Sequence, residues 1–146
     1  MKGKSNKPHF NVTAGLIWKN GKVLIAKRPK GSHLEGYWEF AGGKQEEGES
    51  LKDCLEREIE EELGVKIKAD QLFMTVKHEY RYKVISLHTF NCTILAGEPM
   101  ALKCQELRWV YPTELDAFNF PPPDMQVIKA IYHHFNRMQV PSSPEE

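Results

Sequence analysis

The sequence lacks a surplus of charge of either sign. Its 20 lysine and arginine residues balance 20 aspartate and glutamate residues, so the formal net charge of the 146 residues is zero. Proteins that coat nucleic acid or an anionic membrane usually carry a global basic field, and this chain has none. Any phosphate group that it handles must be recognised locally. We therefore expect no stable nucleic acid complex and no membrane partner.

Long apolar runs and paired cysteines are also missing. No run approaches the roughly 20 residues that a membrane-spanning helix needs, and the N-terminal stretch MKGKSNKPHF has no apolar segment of the kind found in signal peptides. The three cysteines, Cys54, Cys92 and Cys104, are an odd number without CxxC spacing. These absences predict a reduced, cytoplasmic protein.

Apolar residues are not scarce, because they make up 40% of the chain, and one domain of this length can bury a core with them. The basic, polar residues 1–8 and the Pro/Ser-rich residues 140–146 are predicted to be flexible tails around a single domain at residues 9–139. Between the tails the sequence contains no linker, repeat or low-complexity tract. Nothing in it indicates an oligomeric state.

Strand patterns alternate with two long helical patterns. A helix of about 13 residues begins after Ser50 and ends at Gly64, a helical turn starts at Pro112, and a last helix starts at Pro123. Alternating and β-branched residues, with a hairpin signal at Asn20-Gly21, predict the strands. The predicted strands are residues 12–18, 22–27, 37–40, 66–72, 73–80, 84–95 and 106–110. This order predicts an α/β or α+β sandwich, in which a mixed sheet lies between helices.

The most unusual stretch runs from Gly43 to Val65, GKQEEGESLKDCLEREIEEELGV, and holds nine acidic residues. Glu58, Glu61 and Glu62 stand at i, i+3 and i+4 on one side of the predicted helix, beside its apolar stripe. Like charges at this spacing repel, and partial burial strengthens the repulsion. A hard divalent cation would relieve it, and Mg²⁺ prefers one or two carboxylates together with substrate phosphate oxygens.

An acidic run also has a simpler interpretation, a solvated helix face whose partners are Arg57 and nearby lysines. Three features favour the cation site: the Gly42-Gly43 turn before the helix, a second acidic group at residues 46, 47 and 49, and the fixed spacing between turn and helix. Arg57 lies one turn before Glu61, where it can hold a carboxylate in one rotamer.

The complete pattern resembles the Nudix hydrolase signature, G-x5-E-x7-R-E-U-x-E-E-x-G-U, in which U is a bulky aliphatic residue. Every constrained position is filled, by Gly43, Glu49, Arg57, Glu58, Ile59, Glu61, Glu62, Gly64 and Val65. The segments RPKG, WEFAGGK, SLHTF, ELRWV and FPPPD are further similar to the MutT-type branch of nucleoside triphosphate pyrophosphohydrolases. The resemblance spans nearly the whole chain between the tails and implies a Nudix-type α/β/α sandwich.

The function implied by this resemblance is that of a Mg²⁺-dependent or Mn²⁺-dependent hydrolase acting in nucleotide sanitation and DNA repair. Such an enzyme cleaves (deoxy)nucleoside triphosphates, including oxidised ones such as 8-oxo-dGTP, to nucleoside monophosphate and pyrophosphate. Two alternatives stay open: removal of pyrophosphate from triphosphorylated RNA 5′ ends, and a nucleotide-binding Nudix domain without catalysis. RNA would need a basic track, and only Lys2, Lys4, Lys7 and Lys30 cluster. The intact acidic helix argues against loss of catalysis.

Carried onto this chain, the resemblance implies a metal site made of Glu58, Glu61, Glu62 and the carbonyl oxygen of Gly42. The implied catalytic residues are Glu58, Glu61, Arg57 and Lys44. Metal would acidify a water molecule, and Glu58 is the first candidate to take its proton. Arg57 and Glu49 would orient the metal ligands, and Lys44 would neutralise charge on the departing pyrophosphate.

The residues implied to bind substrate are Lys27, Arg28, Phe40 and Asp124. Lys27 and Arg28 match positions that hold nucleotide phosphate, although exposed basic residues at the end of a strand are equally consistent with the sequence. Phe40 matches an aromatic residue of the base pocket but also fits an ordinary core residue. Asp124 falls where the family prototype has an asparagine that reads the base. An aspartate donates a hydrogen bond only when it is protonated, which leaves the preferred base open.

One position departs from the pattern of the relatives. Many of them carry a glutamate six residues before the tryptophan of the ELRWV-type strand, where it is an outer metal ligand or base, and Lys103 occupies this position here. The identity of the general base is therefore open, with Glu79, Glu98 and Glu106 as substitutes from nearby segments. Lys83 weakly matches an arginine near the base, and we interpret it as a solvated strand residue.

Overall fold

The computed structural model of the chain describes residues 6–139. Of the two predicted tails, residues 1–5 and 140–146 lie outside this range. Within it, Lys7 contacts the carboxylate of Glu79 and, at 3.1 Å, the carbonyl oxygen of Tyr80. No helix of the described part of the chain is long and apolar enough to cross a membrane.

The secondary structure follows the predicted order closely. Its elements are β1 (His9–Lys19), β2 (Lys22–Lys27), β3 (Trp38–Glu39), α1 (Leu51–Leu63), β4 (Lys66–Glu79), β5 (Val84–Ala96), β6 (Glu106–Val110), a 3-10 helix (Pro112–Ala117) and α2 (Pro122–Gln139). The prediction of two strands at residues 66–72 and 73–80 was wrong. They form the single strand β4, because register shifts near Ala69 and Leu72 interrupt the pairing with β5 without ending the strand.

The strands form one mixed sheet in the order β3-β2-β1-β5-β4, and β6 pairs with β2. The strands β1 and β5 are parallel, and the other pairs are antiparallel. Because side chains alternate along a strand, Leu16 of β1 packs in the core that contains Ile131 of α2, while Ile17 packs in the core that contains Ile59 of α1. The predicted sandwich, with a mixed sheet between helices, is confirmed.

The glycine turn before α1 is attached to the middle of the sheet. The N–H of Gly15 donates to Ala41 O at 2.8 Å, and the N–H of Thr13 donates to Gly43 O at 2.8 Å. A Cβ at Gly42 would lie 2.0 Å from Thr13 O, so only glycine permits this approach. The turn is therefore fixed relative to β1.

The helix α1 is capped at both predicted ends. Ser50 accepts a hydrogen bond from the N–H of Asp53 at 3.0 Å. Gly64 is left-handed, with φ of 66°, and its N–H bonds to Glu60 O. Leu55, Ile59 and other apolar residues are buried on one side of the helix. The carboxylates on the adjacent side are therefore held in a fixed position relative to the sheet.

Candidate functional site

Arg57 organises the carboxylates of α1 and of the loop before it. Its Nε and Nη2 donate to the two oxygens of Glu49 at 3.0 and 2.7 Å, and its Nη1 donates to Glu58 Oε2 at 3.0 Å. The hydrogen bonds from Arg57 and then from the N–H of Glu46 lower the pKa of Glu49 to about 2. Glu49 therefore stays ionised and holds the guanidinium against Glu58, as expected for residues that orient other side chains.

Glu58 lies directly against the glycine turn. A Cβ at Gly43 would be 2.3 Å from both Cδ and Oε1 of Glu58, so the carboxylate occupies the space that a side chain would fill. The side chain of Glu58 is 17% exposed. The turn and the helix thus place this carboxylate beside the backbone of Gly43.

Glu62 lies in a region where negative charge is in excess. Its pKa is raised to about 8, first by burial and then by the nearby carboxylates of Glu39 and Glu58, while the backbone of Gly42 acts in the opposite direction. Three carboxyl groups therefore share one partly buried region. A cation bound there would offset both the repulsion and the cost of burial.

Glu61 is more exposed than Glu58 and shares with it the Nη1 nitrogen of Arg57. Its side chain is 52% exposed, and both of its oxygens are 3.5 Å from Arg57 Nη1. Among the described residues, no three His, Cys, Asp or Glu side chains form a ready-made metal cluster. The residue types nevertheless suit a hard divalent ion, because carbonyl and carboxylate oxygens are hard donors and Glu62 has like charges from Glu39 and Glu58 near it.

Two cavities meet at this turn. One, the Asp124 cavity, has a volume of about 210 Å³ and is lined by Asp124, Phe40, Tyr80 and Lys83 among others. The second, the Lys103 cavity, has a volume of about 230 Å³ and is lined by Lys103, Glu62, Gly43 and Cys104 among others. Both are lined by Val12, Arg28, Glu39 and Gly42. Together they form a groove whose middle lies at Gly42.

The Asp124 cavity has partly apolar walls, and it holds the buried carboxyl group of Asp124 together with charged side chains such as Glu39 and Arg28. Asp124 is 7% exposed, and its pKa is raised to about 8, first by burial and then by the charge of Glu39. At neutral pH the group is therefore mostly protonated, with one O–H donor and an acceptor oxygen. Phe40 lines the cavity but is also a core residue, stacked on Phe120 at 5.4 Å between ring centroids. Lys83, interpreted above as a solvated residue, lies in the cavity wall.

Glu39 was not among the predicted site residues, yet it lines both cavities. Its Oε1 accepts a hydrogen bond from Arg28 Nη1 at 2.7 Å, and Arg28 Nε donates to His33 O at 2.6 Å. Burial raises the pKa of Glu39, and Arg28 opposes this effect. The available sequence signal was a charge between the core aromatics Trp38 and Phe40, close to an arginine at the end of β2.

Several predicted residues do not line the groove in the described part of the chain: Lys27, Lys44, Glu49, Arg57, Glu58 and Glu61. Lys44 places its ammonium 4.4 Å from the centroid of the Phe10 ring. Lys27 ends β2, and its carbonyl accepts a hydrogen bond from the N–H of Gln105 at 3.0 Å. Within the described residues, neither cavity has Lys27 or Lys44 in its wall. Arg28 is the predicted phosphate ligand that the structure brings to the groove.

The three substitutes for the missing outer glutamate are occupied elsewhere. Glu79 pairs with Lys7, Glu98 Oε2 lies 3.4 Å from Lys19, and Glu106 Oε2 lies 2.7 Å from Arg108. None of the three belongs to the walls of the groove within residues 6–139. Glu58 does not line the groove of the described residues either, but Arg57 and the glycine turn hold it in place, and it stays the predicted general base.

Comparison with known proteins gives one consistent family. The family profile described as NUDIX domain matches residues 13–130. An 8-oxo-dGTP diphosphatase of Buchnera aphidicola is 36% identical over 120 residues, which cover 82% of this chain and 91% of the relative. A CTP pyrophosphohydrolase of Escherichia coli is 35% identical over 121 residues, which cover 83% of this chain and 90% of the relative.

Solved structures agree with these relatives. The solution structure of the E. coli ORF135 protein has a TM-score of 0.81 and 30% identity, and the match covers 96% of this chain and 100% of that one. A MutT protein of the Nudix hydrolase family from methicillin-resistant Staphylococcus aureus has a TM-score of 0.72 and 33% identity, with 88% and 98% covered.

Proposed function

Because this chain belongs to the Nudix family, as a MutT-type hydrolase with nucleotide pyrophosphohydrolase activity, we propose that its substrates are (deoxy)nucleoside triphosphates, including oxidised ones such as 8-oxo-dGTP. It would release nucleoside monophosphate and pyrophosphate. The observation that carries this proposal is the groove through Gly42, which has a partly apolar, hydrogen-bonding end at Asp124 and a charged end at Lys103. The nucleobase suits the Asp124 end of the groove, and the phosphate groups suit the Lys103 end.

Nudix hydrolases generally use divalent metal ions, and we propose Mg²⁺, or Mn²⁺, for this chain. Its ligands would be Glu58, Glu61, Glu62 and the carbonyl oxygen of Gly42. When bound, the ion supplies positive charge to the phosphate oxygens and acidifies the attacking water. Support comes from the raised pKa of Glu62, because a carboxyl group destabilised by burial and like charge gains most from a cation. Glu61 would turn from Arg57 toward the other carboxylates.

Glu58 is the proposed general base. Arg57 Nη1 donates a hydrogen bond to Glu58 Oε2 at 3.0 Å, and the missing side chain at Gly43 leaves room for Glu58 Oε1. The carboxylate is thus fixed in one orientation, in which it takes a proton from the water that attacks a phosphorus atom while the phosphoanhydride bond breaks. Arg57 and Glu49 act by positioning. Lys44 would leave the Phe10 ring to neutralise charge on the departing pyrophosphate.

The nucleobase of the substrate would lie in the Asp124 cavity, with Phe40 in the cavity wall and Arg28 directed to the phosphate chain. We keep Lys27 as a weaker proposal for phosphate binding, since it precedes Arg28 but does not line the groove. A protonated Asp124 offers one donor and one acceptor, the same pair as an asparagine side chain. This similarity supports oxidised purine substrates, such as that of the 8-oxo-dGTP diphosphatases, more than the cytosine nucleotide of the CTP pyrophosphohydrolase.

The proposal extends to the domain organisation, the cellular location and the partners of the protein. We propose a single domain at residues 9–139 in a cytoplasmic protein whose partner is its nucleotide substrate, without a stable nucleic acid complex. The zero net charge supports the last point, because no basic field is available to hold a polyanion.

A substrate panel tests the proposal directly. The protein is incubated with Mg²⁺ and each of 8-oxo-dGTP, dGTP, CTP, dCTP and RNA with a 5′-triphosphate, and pyrophosphate and monophosphate are quantified. We expect 8-oxo-dGTP to give the highest kcat/KM and equal amounts of both products. Preferential turnover of the RNA would replace the proposed substrate class, and no turnover of any member would favour a binding domain.

A further inference from the structure

Lys103 lies at the end of the groove opposite to Asp124. It lines the same cavity as Glu62, Gly42 and Arg28. A nucleoside triphosphate that places its base near Asp124 and its phosphate chain across Gly42 would bring its outer phosphates to Lys103. We propose that Lys103 binds these distal phosphate groups, an inference that rests on the proposed function because it assumes this direction of the substrate.

The backbone around Lys103 is fixed to both sides of the groove. On one side, the N–H of Leu102 donates to Glu62 O at 3.2 Å. On the other side, Gln105 Nε2 donates to Arg28 O at 2.8 Å. Lys103 is therefore held between the carboxylate helix and the arginine that faces the phosphate chain. The position of its backbone is thus set, and its exposed side chain can reach a ligand in the cavity.

The charges of the Lys103 cavity leave this ammonium available. Of its two basic residues, Arg28 already donates to Glu39 at 2.7 Å. Within the described residues no carboxylate lies within ion-pair distance of the exposed Lys103. A phosphate group is a suitable partner for such a compact ammonium. Lys103 therefore provides a positive charge for substrate binding at this position.

Binding of two products separates this role from a structural one. With Mg²⁺ present, dissociation constants of inorganic pyrophosphate and of 8-oxo-dGMP are measured by titration calorimetry for the wild type and for Lys103→Ala, Lys103→Arg and Lys103→Glu. We expect Lys103→Ala to weaken pyrophosphate binding about tenfold, the loss of one charge-assisted contact. We expect Lys103→Glu to weaken it further and Lys103→Arg to retain most of it. Binding of 8-oxo-dGMP, which lacks the distal phosphates, should not change.

Lys77 provides the matched control, because it is an exposed lysine of β4 that does not line the groove. Lys77→Ala and Lys77→Glu should bind both products like the wild type. The proposal is overturned by unchanged pyrophosphate binding in Lys103→Ala, by equal weakening of both products, by equal effects of the Lys77 variants, or by a wild type that does not bind pyrophosphate. If the wild type turns over no triphosphate but binds pyrophosphate through Lys103, the proposed function fails and the anion site stands.

Discussion

The backbone of Gly43 and the carboxylate of Glu58 are in van der Waals contact, with no room for a methyl group between them. A Cβ at Gly43 would be 2.3 Å from Glu58 Oε1, whereas a Cβ at Gly42 would be 2.0 Å from the backbone oxygen of Thr13. The two adjacent glycines therefore serve different purposes. Gly42 lets the turn pair with the sheet, and Gly43 admits the carboxylate.

This difference predicts two distinct alanine phenotypes. Gly42→Ala meets backbone that cannot move aside, so we expect it to lower the free energy of unfolding by about 1–3 kcal/mol or more. Gly43→Ala meets a side chain that can rotate away, so it should retain most stability but lose activity because Glu58 is displaced. Urea denaturation and kcat/KM are measured for both. Full activity of Gly43→Ala would remove Glu58 from the proposed site.

Arg57 should be sensitive even to a conservative change. Lysine keeps the charge but cannot donate from a planar fork to both oxygens of Glu49 and also reach Glu58. We expect Arg57→Lys to lower kcat/KM by about 10-fold to 100-fold, the usual range for residues that orient metal ligands. Glu49→Gln should have a similar effect, and the double variant should be hardly worse than either single one. Additive losses would show that Arg57 and Glu49 act independently.

The helix carboxylates can be tested with neutral isosteres. Glu62→Gln and Glu61→Gln should each lower activity by more than about 100-fold, because ligands matter more than residues that orient them. Both variants should stay folded by circular dichroism, since glutamine has nearly the same shape. Glu60→Gln is the control on the same helix, because Glu60 pairs with Lys66 at 3.4 Å instead. Near-wild-type rates in either ligand variant would refute the metal assignment.

Asp124 should make stability depend on pH. The folded protein keeps the proton to about pH 8, whereas the ordinary pKa of 3.8 applies after unfolding. Between these values the folded state binds more protons, so the free energy of unfolding falls as pH rises. Asp124→Asn cannot ionise at this position. Its free energy of unfolding, measured by urea denaturation, should therefore fall less between pH 5 and pH 9 than that of the wild type. Parallel curves for both proteins would contradict a protonated Asp124.

The same proton should govern base preference. Near neutral pH, protonated aspartic acid and asparagine both offer a donor and an acceptor, so Asp124→Asn should rank the nucleotide panel like the wild type. Above the pKa of about 8, the wild type becomes an acceptor only, and its ranking should diverge from that of the variant. Identical rankings at both pH values would place Asp124 outside base recognition.

Local sequence determined the secondary structure and the carboxylate-rich helix with its glycine turn. Caps at Ser50 and Gly64, the pairing signal at Asn20-Gly21 and the carboxylate spacing in α1 are short-range features, and each appears in the structure as the pattern predicts. The prediction divided the strand β4 wrongly. A β-bulge and the end of a strand have similar sequence patterns when the pairing with a distant strand is unknown.

Tertiary structure alone decided which side chains share the groove. Glu39, Asp124 and Lys103 come from β3, α2 and the loop before β6, and their sequence neighbours do not show that they surround Gly42. The surroundings also decide charge: hydrogen bonds from Arg57 lower the pKa of Glu49 to about 2, whereas burial raises the pKa of Asp124 to about 8. Spacing along the chain specifies chemistry within one helix, whereas solvent exclusion and long-range proximity exist only after the chain has folded.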